Sequence, residues 1–364
     1  MYSFEPTEEQ KMLIDSAQRY ANADLRPAAH DADEEGNIPN KIIEKGWELG
    51  LLQASIPEEY GGFGEYSSVT SVLAAEELAW GDLAGALAVL LPGLYALPIL
   101  LEGSEEQKHE FLPVVIEAEW KPYTAALLEP SFDFSPQELM TIAKENGDHY
   151  SITGDKVYVP FAEQAEGMIV YANLDDITQG FIIPKQIAGL EIGERQELMG
   201  INGLPVYKVS FNDVRVPKDH HLGGHSGHSE QKIVDIMRVT MATLAVGMSR
   251  AAFEYSRDYA KDRDVFGVKV AQKQAIAFML AEMATDIEAI RLLTWEAAWK
   301  LDTNKEDASK AAYLAISGAM DMAMMVTDRA VQILGGHGYI REHPVELWMR
   351  NGRGIATFTG LAMA

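Results

Sequence analysis

Apolar positions along the first 120 residues recur at helical spacing. Leu13, Ala17 and Tyr20 follow Thr7-Glu8-Glu9-Gln10, a hydroxyl with a glutamine three residues later that marks a capping box, and Pro27 is expected to stop the run. Ser104-Glu105-Glu106-Gln107 repeats the start signal ahead of Phe111, Leu112 and Val115. A turn-rich loop, Ile56-Pro57-Glu58-Glu59-Tyr60-Gly61-Gly62-Phe63-Gly64, lies between these helices. Leu83–Leu101 is the longest apolar stretch, but Pro92, Gly93 and Pro98 break it short of the roughly 20 residues a membrane span needs. A buried helix pair is predicted there.

The pattern changes after residue 120. Short β-rich runs (Tyr123–Leu128, Tyr150–Val159, Met168–Ala172, Phe181–Pro184 and Val206–Val216) alternate with Gly, Pro, Asn and Asp turns, and Thr153-Gly154-Asp155 is placed as a hairpin turn. Long helical segments return over residues 231–262, 270–301 and 306–334, the last closed by Gly335-Gly336 as a C-cap. The expected fold class is α+β, in three domains: 1–120 helical, 121–225 antiparallel β, 226–364 helical. No internal repeat or low-complexity tract interrupts this plan.

Composition narrows the function. The chain is 47% hydrophobic and 23% charged, ordinary for a globular protein of 364 residues. Its net charge of −25 disfavours nucleic acid and anionic membrane surfaces, which are bound through basic patches. The absence of cysteine excludes disulfides, a thiolate nucleophile and Cys-ligated metals. With no secretory h-region at its start, the chain is expected to be a soluble cytoplasmic protein.

Three clusters invite a chemical reading. His220, His221, His225 and His228 have the residue type of a transition-metal site, but a Gly-rich loop without supporting carboxylates favours a plain polar loop. Gly335-Gly336-His337-Gly338-Tyr339 would let a backbone approach a phosphate or ring closely, yet it follows no strand, so a helix cap is preferred to a dinucleotide fingerprint. Arg263-Asp264-Val265-Phe266-Gly267 reads equally as an anion site with a stacking ring, or as a surface arginine beside a buried phenylalanine. No carboxylate pair stands out for acid–base work.

Taken together, the motifs resemble the acyl-CoA dehydrogenase family. The resemblance rests on Ile56–Gly62, on Asn212-Asp213-Val214-Arg215-Val216-Pro217, and on Arg263-x-x-Phe266-Gly267 with Gln274 and Leu280–Met283. Its most specific part is Gln332–Tyr339 followed by Pro344-Val345-Glu346, and it covers essentially the whole chain. It implies a helical domain, a β domain and a tetramerising four-helix domain. Such proteins hold FAD, and a glutamate removes the α-proton of an acyl-CoA thioester while the β-hydride passes to the flavin.

The departures decide what is expected of this chain. The family's usual base position, in Tyr-Glu-Gly-Thr, is matched by Phe358-Thr359-Gly360-Leu361, so it holds Thr359. The alternative base position, just before the arginine matched by Arg238, holds Met237. The Thr-Glu-Pro-Gly-Ala-Gly-Ser flavin loop is matched by Leu128-Glu129-Pro130-Ser131-Phe132-Asp133-Phe134, and Trp-Ile-Thr by Tyr158-Val159-Pro160. Proline lacks both the N–H and the hydroxyl of the threonine it replaces. By contrast Arg263, Phe266, Lys273, Gln274, Gln332, Gly335 and Gly336 match positions that in the family reach a neighbouring subunit's FAD. The sequence therefore points to a chain without its own base that completes the FAD site of a catalytic partner subunit in a heterotetramer, with an electron-transferring flavoprotein as acceptor. Two alternatives stand beside this: a homo-oligomeric enzyme whose base has moved to Asp82 or Asp133, and a flavin-free binding or regulatory module. Which acyl-CoA is involved is not legible.

Overall fold

The computed structural model describes residues 5–364. Helix α1 (Glu8–Tyr20) starts at the expected capping box: Gln10 N–H donates to Thr7 Oγ1 at 3.2 Å and Thr7 N–H to Gln10 Oε1 at 2.9 Å. Pro27 does not stop the run. The chain passes through one π turn, Ala21–Leu25, into α2 (Arg26–Glu35), so Pro27 falls in a first helical turn where its missing N–H is not needed. Helices α3 (Asn40–Trp47), α4 (Ser68–Gly81), α5 (Leu83–Leu90), α6 (Gly93–Glu102) and α7 (Glu105–Val115) follow. The predicted buried pair is α5 with α6, bent by 46°, and among the described residues no single helix is long and apolar enough to cross a membrane.

The middle of the chain forms β1 (Tyr123–Ala126), β2 (Ile142–Asn146), β3 (His149–Pro160), β4 (Gly167–Leu174), β5 (Ile177–Pro184), β6 (Leu190–Arg195) and β7 (Val206–Pro217). They form one sheet in the order β1-β4-β2-β3-β7-β6, with β5 also on β4. Pairing is antiparallel, except that β1 runs parallel to β4 and β2 meets β4 in parallel at Ile142 and Asn173. The sequence pattern misses β2 and β6 because both are largely exposed and carry charges, Lys144 and Glu145 in one, Glu191, Glu194 and Arg195 in the other. Thr153-Gly154-Asp155 is not a turn either. It lies inside β3, where the register against β7 shifts between Ile152 and Gly154, and a Cβ on Gly154 would sit 2.6 Å from Thr141 Cα. The tight turn is Gly147-Asp148, between β2 and β3.

Helix α8 (Glu230–Asp262), a two-strand hairpin of β8 (Asp264–Val265) and β9 (Val268–Lys269), α9 (Gln274–Asp302), α10 (Ala308–Leu334) and α11 (Val345–Gly354) complete the fold. Gly335 caps α10 with φ +60°, as expected. A continuous apolar core joins the N-terminal helices, one face of the sheet and α8–α11, and a smaller core covers the other face.

The histidine-rich loop between β7 and α8 is stitched down. Gln107, the third residue of the α7 capping box, donates to the Asp219 and His221 carbonyls and accepts from Gly223 N–H. His221 Nε2 meets Gln179 Oε1 at 2.8 Å, and His228 Nε2 accepts from Gly180 N–H at 2.7 Å. These rings serve the sheet, and among the described residues no three His, Asp or Glu side chains are arranged to hold a metal.

Candidate functional site

The seven residues matched to a neighbour's FAD gather at one end of the C-terminal bundle. Arg263 and Phe266 lie on the α8–α9 connection, Lys273 and Gln274 at the start of α9, and Gln332, Gly335 and Gly336 at the end of α10. The Tyr259 hydroxyl hydrogen-bonds to His337 Nδ1 at 2.9 Å, and the Arg329–Glu282 ion pair at 2.5 Å holds α10 to α9 at the same level. All seven are exposed. Neither Arg263 nor Lys273 has a side-chain partner among the described residues.

Phe266 settles one of the open alternatives. It is 95% exposed, so the reading of a buried phenylalanine fails. Its φ is +54° and that of Gly267 +80°, the pair of left-handed residues a type I′ turn requires. A bulky ring in that region is strained by an amount on the order of 1–2 kcal/mol, and here the strain secures no packing. The result is a turn that presents an exposed aromatic ring, flanked along the chain by Arg263 and Lys273, neither of which has a side-chain partner among the described residues.

The positions that would serve the chain's own flavin are built differently. Leu128, Met237 and Leu361 are 7%, 0% and 2% exposed, and they lie with Phe358 and Tyr158 in the main apolar core. Gly360 approaches β1's exit so closely that a Cβ would sit 2.9 Å from Leu127 Cδ2. Pro160 is buried and offers no donor. Thr359, which the sequence matches to the usual base position, is half-buried and has no carboxylate partner among the described residues, and Met237, matched to the other, has no titratable group. These positions are apolar where the family's flavin loop carries hydroxyl donors, so the residues do not fit the hydrogen bonds a flavin takes there.

The two aspartates considered as relocated bases are also accounted for. Asp82 is 3% exposed and caps α5, accepting from Gly85 N–H at 2.7 Å; burial raises its pKa to about 6. Asp133 stands in water on the loop after Glu129.

Several structural residues around the cleft escaped the sequence reading. Gln196 Oε1 accepts from Tyr158 N–H at 2.8 Å and holds that residue at φ +54°. Asn351 Oδ1 accepts from Ile201 N–H at 2.7 Å and holds a β-branched residue at φ +50°. Glu129 accepts from Met140 N–H, Thr141 N–H and Lys156 Nζ, closing the base of the 130–139 loop. Burial pushes the Glu129 carboxyl up, and Lys156 with these donors more than reverses it, leaving it below its usual range. The only sequence signal was indirect, a glutamate and a lysine in otherwise apolar surroundings.

Comparison with known proteins places this architecture. Family models for the acyl-CoA dehydrogenase N-terminal, middle and C-terminal domains match residues 7–119, 124–214 and 228–361. A short-chain specific acyl-CoA dehydrogenase of Sus scrofa is 33% identical over 98% of this chain and 88% of its own length. The CarC subunit of the caffeyl-CoA reductase–Etf complex of Acetobacterium woodii is 33% identical, covering 97% of this chain and 95% of its own. The solved butyryl-CoA dehydrogenase of Megasphaera elsdenii superposes with a TM-score of 0.89 at 31% identity, covering 100% of this chain and 96% of that one. FAD is the cofactor of this family. By its three matched domains and its fold, the chain belongs to the acyl-CoA dehydrogenase family.

Proposed function

We propose that this chain is the non-catalytic subunit of a heteromeric acyl-CoA dehydrogenase, pairing through its C-terminal helical domain with a subunit that carries the glutamate base. In the resulting heterotetramer Arg263, Phe266, Lys273, Gln274, Gln332, Gly335 and Gly336 complete the partner's FAD site, where an acyl-CoA is dehydrogenated to an enoyl-CoA. Electrons leave to an electron-transferring flavoprotein, a reading supported by the likeness to the CarC subunit of an Etf complex.

One observation carries the proposal. The residues that match the family's FAD contacts are sorted by which subunit's cofactor they serve: the set for a neighbour is exposed, with Arg263 and Lys273 lacking side-chain partners among the described residues, and the set for the chain's own flavin is apolar and at least partly buried. A cationic turn with an exposed ring suits the pyrophosphate and planar systems of a dinucleotide held elsewhere.

The visible spectrum of the chain purified alone tests this. A folded, colourless protein without dehydrogenase activity is expected, with about one FAD per two chains when it is co-expressed with a catalytic subunit. Near-full flavin occupancy in the chain alone overturns it.

A further inference from the structure

Going beyond that reading, we infer that the α10–α11 connection carries a proton-operated latch, in which the stacked His337 and His343 rings hold residues 337–344 against α8 until both rings are charged. None of the residues assigned above to a partner's cofactor takes part. Tyr255 and Tyr259 stand four residues apart on α8, so their side chains share one face on successive turns. The Tyr255 hydroxyl meets His343 Nδ1 at 2.6 Å, and the Tyr259 hydroxyl meets His337 Nδ1 at 2.9 Å. Held this way, the two imidazoles stack with centroids 5.2 Å apart and planes 14° from parallel. Tyr259 packs edge-on against His337 at 5.9 Å and His343 at 5.8 Å. Tyr255 packs edge-on against His343 and against Trp348 of α11, at 5.9 Å in each case.

The pair accommodates one charge and not two. Burial raises the Tyr255 phenol above its usual range, so its hydroxyl keeps its proton and donates to the Nδ1 lone pair of a neutral His343. A charged ring carries a hydrogen on that nitrogen, and the hydroxyl must turn to accept it. One such reversal leaves the stack intact. Two put like charges face to face across 5.2 Å. Neither ring has a carboxylate partner among the described residues, and the surrounding carboxylates are engaged elsewhere. On α8, Asp258 is tied to Arg257 and Glu254 accepts from Trp80 Nε1; on α2, Glu34 is tied to Arg341 and His30. On α11 Glu346 is tied to Arg350, on α9 Glu282 is tied to Arg329, and Arg26 of α2 lies over Trp80 and Trp348. Glu342, on the connection itself, stands in water. The latched form therefore binds fewer protons than the released one, and acid favours release. Imidazole chemistry places such a change between about pH 5 and 8. The freed connection carries Tyr339 and Ile340, already 76% and 40% exposed, and leads into α11, so the latch governs how firmly that end of the bundle is closed.

Arg341, with its side chain 51% exposed between the two histidines, makes the connection its own reporter. Trypsin cleavage after Arg341 in the whole chain is compared with that in His343→Asn and in His337→Asn, since asparagine retains an acceptor near the Nδ1 position but takes up no proton. The ratio of parent to variant cleavage cancels the protease's own pH dependence. With each variant it is expected to rise by about fivefold or more between pH 8 and pH 5.5. A flat ratio with either variant overturns the inference. Amide exchange of the parent, corrected for its intrinsic pH dependence, needs no variant. Residues 337–344 should lose protection at pH 5.5 while β4 keeps its own, and equal protection at the two pH values overturns the inference as well. Both readouts use the chain alone and no flavin, so failure here does not count against the proposed subunit role, nor the reverse.

Discussion

Replacing Lys156 by methionine isolates the clamp that organises the 130–139 loop. The Lys156 and Glu129 side chains are 0% and 1% exposed and 2.8 Å apart. Methionine fills most of the lysine stem's volume, so little cavity energy enters. What changes is that Glu129 keeps its two backbone donors but loses its counter-charge, and the Leu127 carbonyl loses the donor it has at 3.1 Å. Removing one member of a buried pair costs about 3–5 kcal/mol. The remaining donors to Glu129 favour the lower end, near 3 kcal/mol. The deficit should depend on pH. Without Lys156 the buried carboxyl titrates above its unfolded value, so K156M is least impaired where Glu129 takes up a proton and most impaired at pH 7. Urea unfolding followed by both fluorescence and circular dichroism measures this, two probes being needed because three domains need not unfold together. Limited proteolysis within residues 130–139 reports release of the loop. Replacing both partners, E129L/K156M, removes the buried charge but leaves the Met140 and Thr141 N–H groups without their acceptor, so the loop should be released even though no charge stays buried. A K156M protein within about 1 kcal/mol of the parent at pH 7 would refute the reasoning.

Three further outcomes follow from the same structure. Burial lowers the His228 pKa to about 4, against a usual 6.5, while its Nε2 accepts from Gly180 N–H. The neutral ring's stabilisation is complete above pH 6.5 and lost as pH falls through 4, on the order of 3 kcal/mol in all, so urea midpoints should drop over that window in the parent and less in His228→Gln. Asn351→Ala leaves the Ile201 N–H without its acceptor in a strained, buried turn; a loss of about 1–3 kcal/mol is expected by denaturation, and none would show that the turn holds itself. Phe266→Asn should raise the stability of the isolated chain by about 0.5–1 kcal/mol, since asparagine tolerates left-handed φ and almost no burial is lost, while lowering FAD retention in the co-expressed complex.

Much of the fold was legible because helix starts and buried strands leave local marks. Thr7 and Ser104 announce their capping boxes, and Gly335 ends α10 where a positive φ is required. Strands buried on both faces, such as β4, read as apolar runs, but β2 and β6 do not, because their charged, exposed residues gain their place only from neighbours in the sheet. Pro27 misled because its effect depends on whether its own amide position needs a partner, and a preceding π turn removes that need. Gly154 misled because a close approach of Thr141, the residue just before a strand the pattern did not show, calls for glycine as strongly as a turn does.

The amino-acid sequence alone determined the three-part plan and the family, since residue types and their spacing carry those facts. Only the tertiary structure decided which of two readings applied to the remaining candidates. It set Phe266 in water rather than in the core, it buried Leu128, Met237 and Leu361, and it paired His221 and His228 with the sheet. It also left the Arg263, Lys273 and Asp133 side chains without partners among the described residues. Exposure and pairing are properties of a residue's surroundings, and those are supplied by segments distant in the chain, which no local pattern encodes.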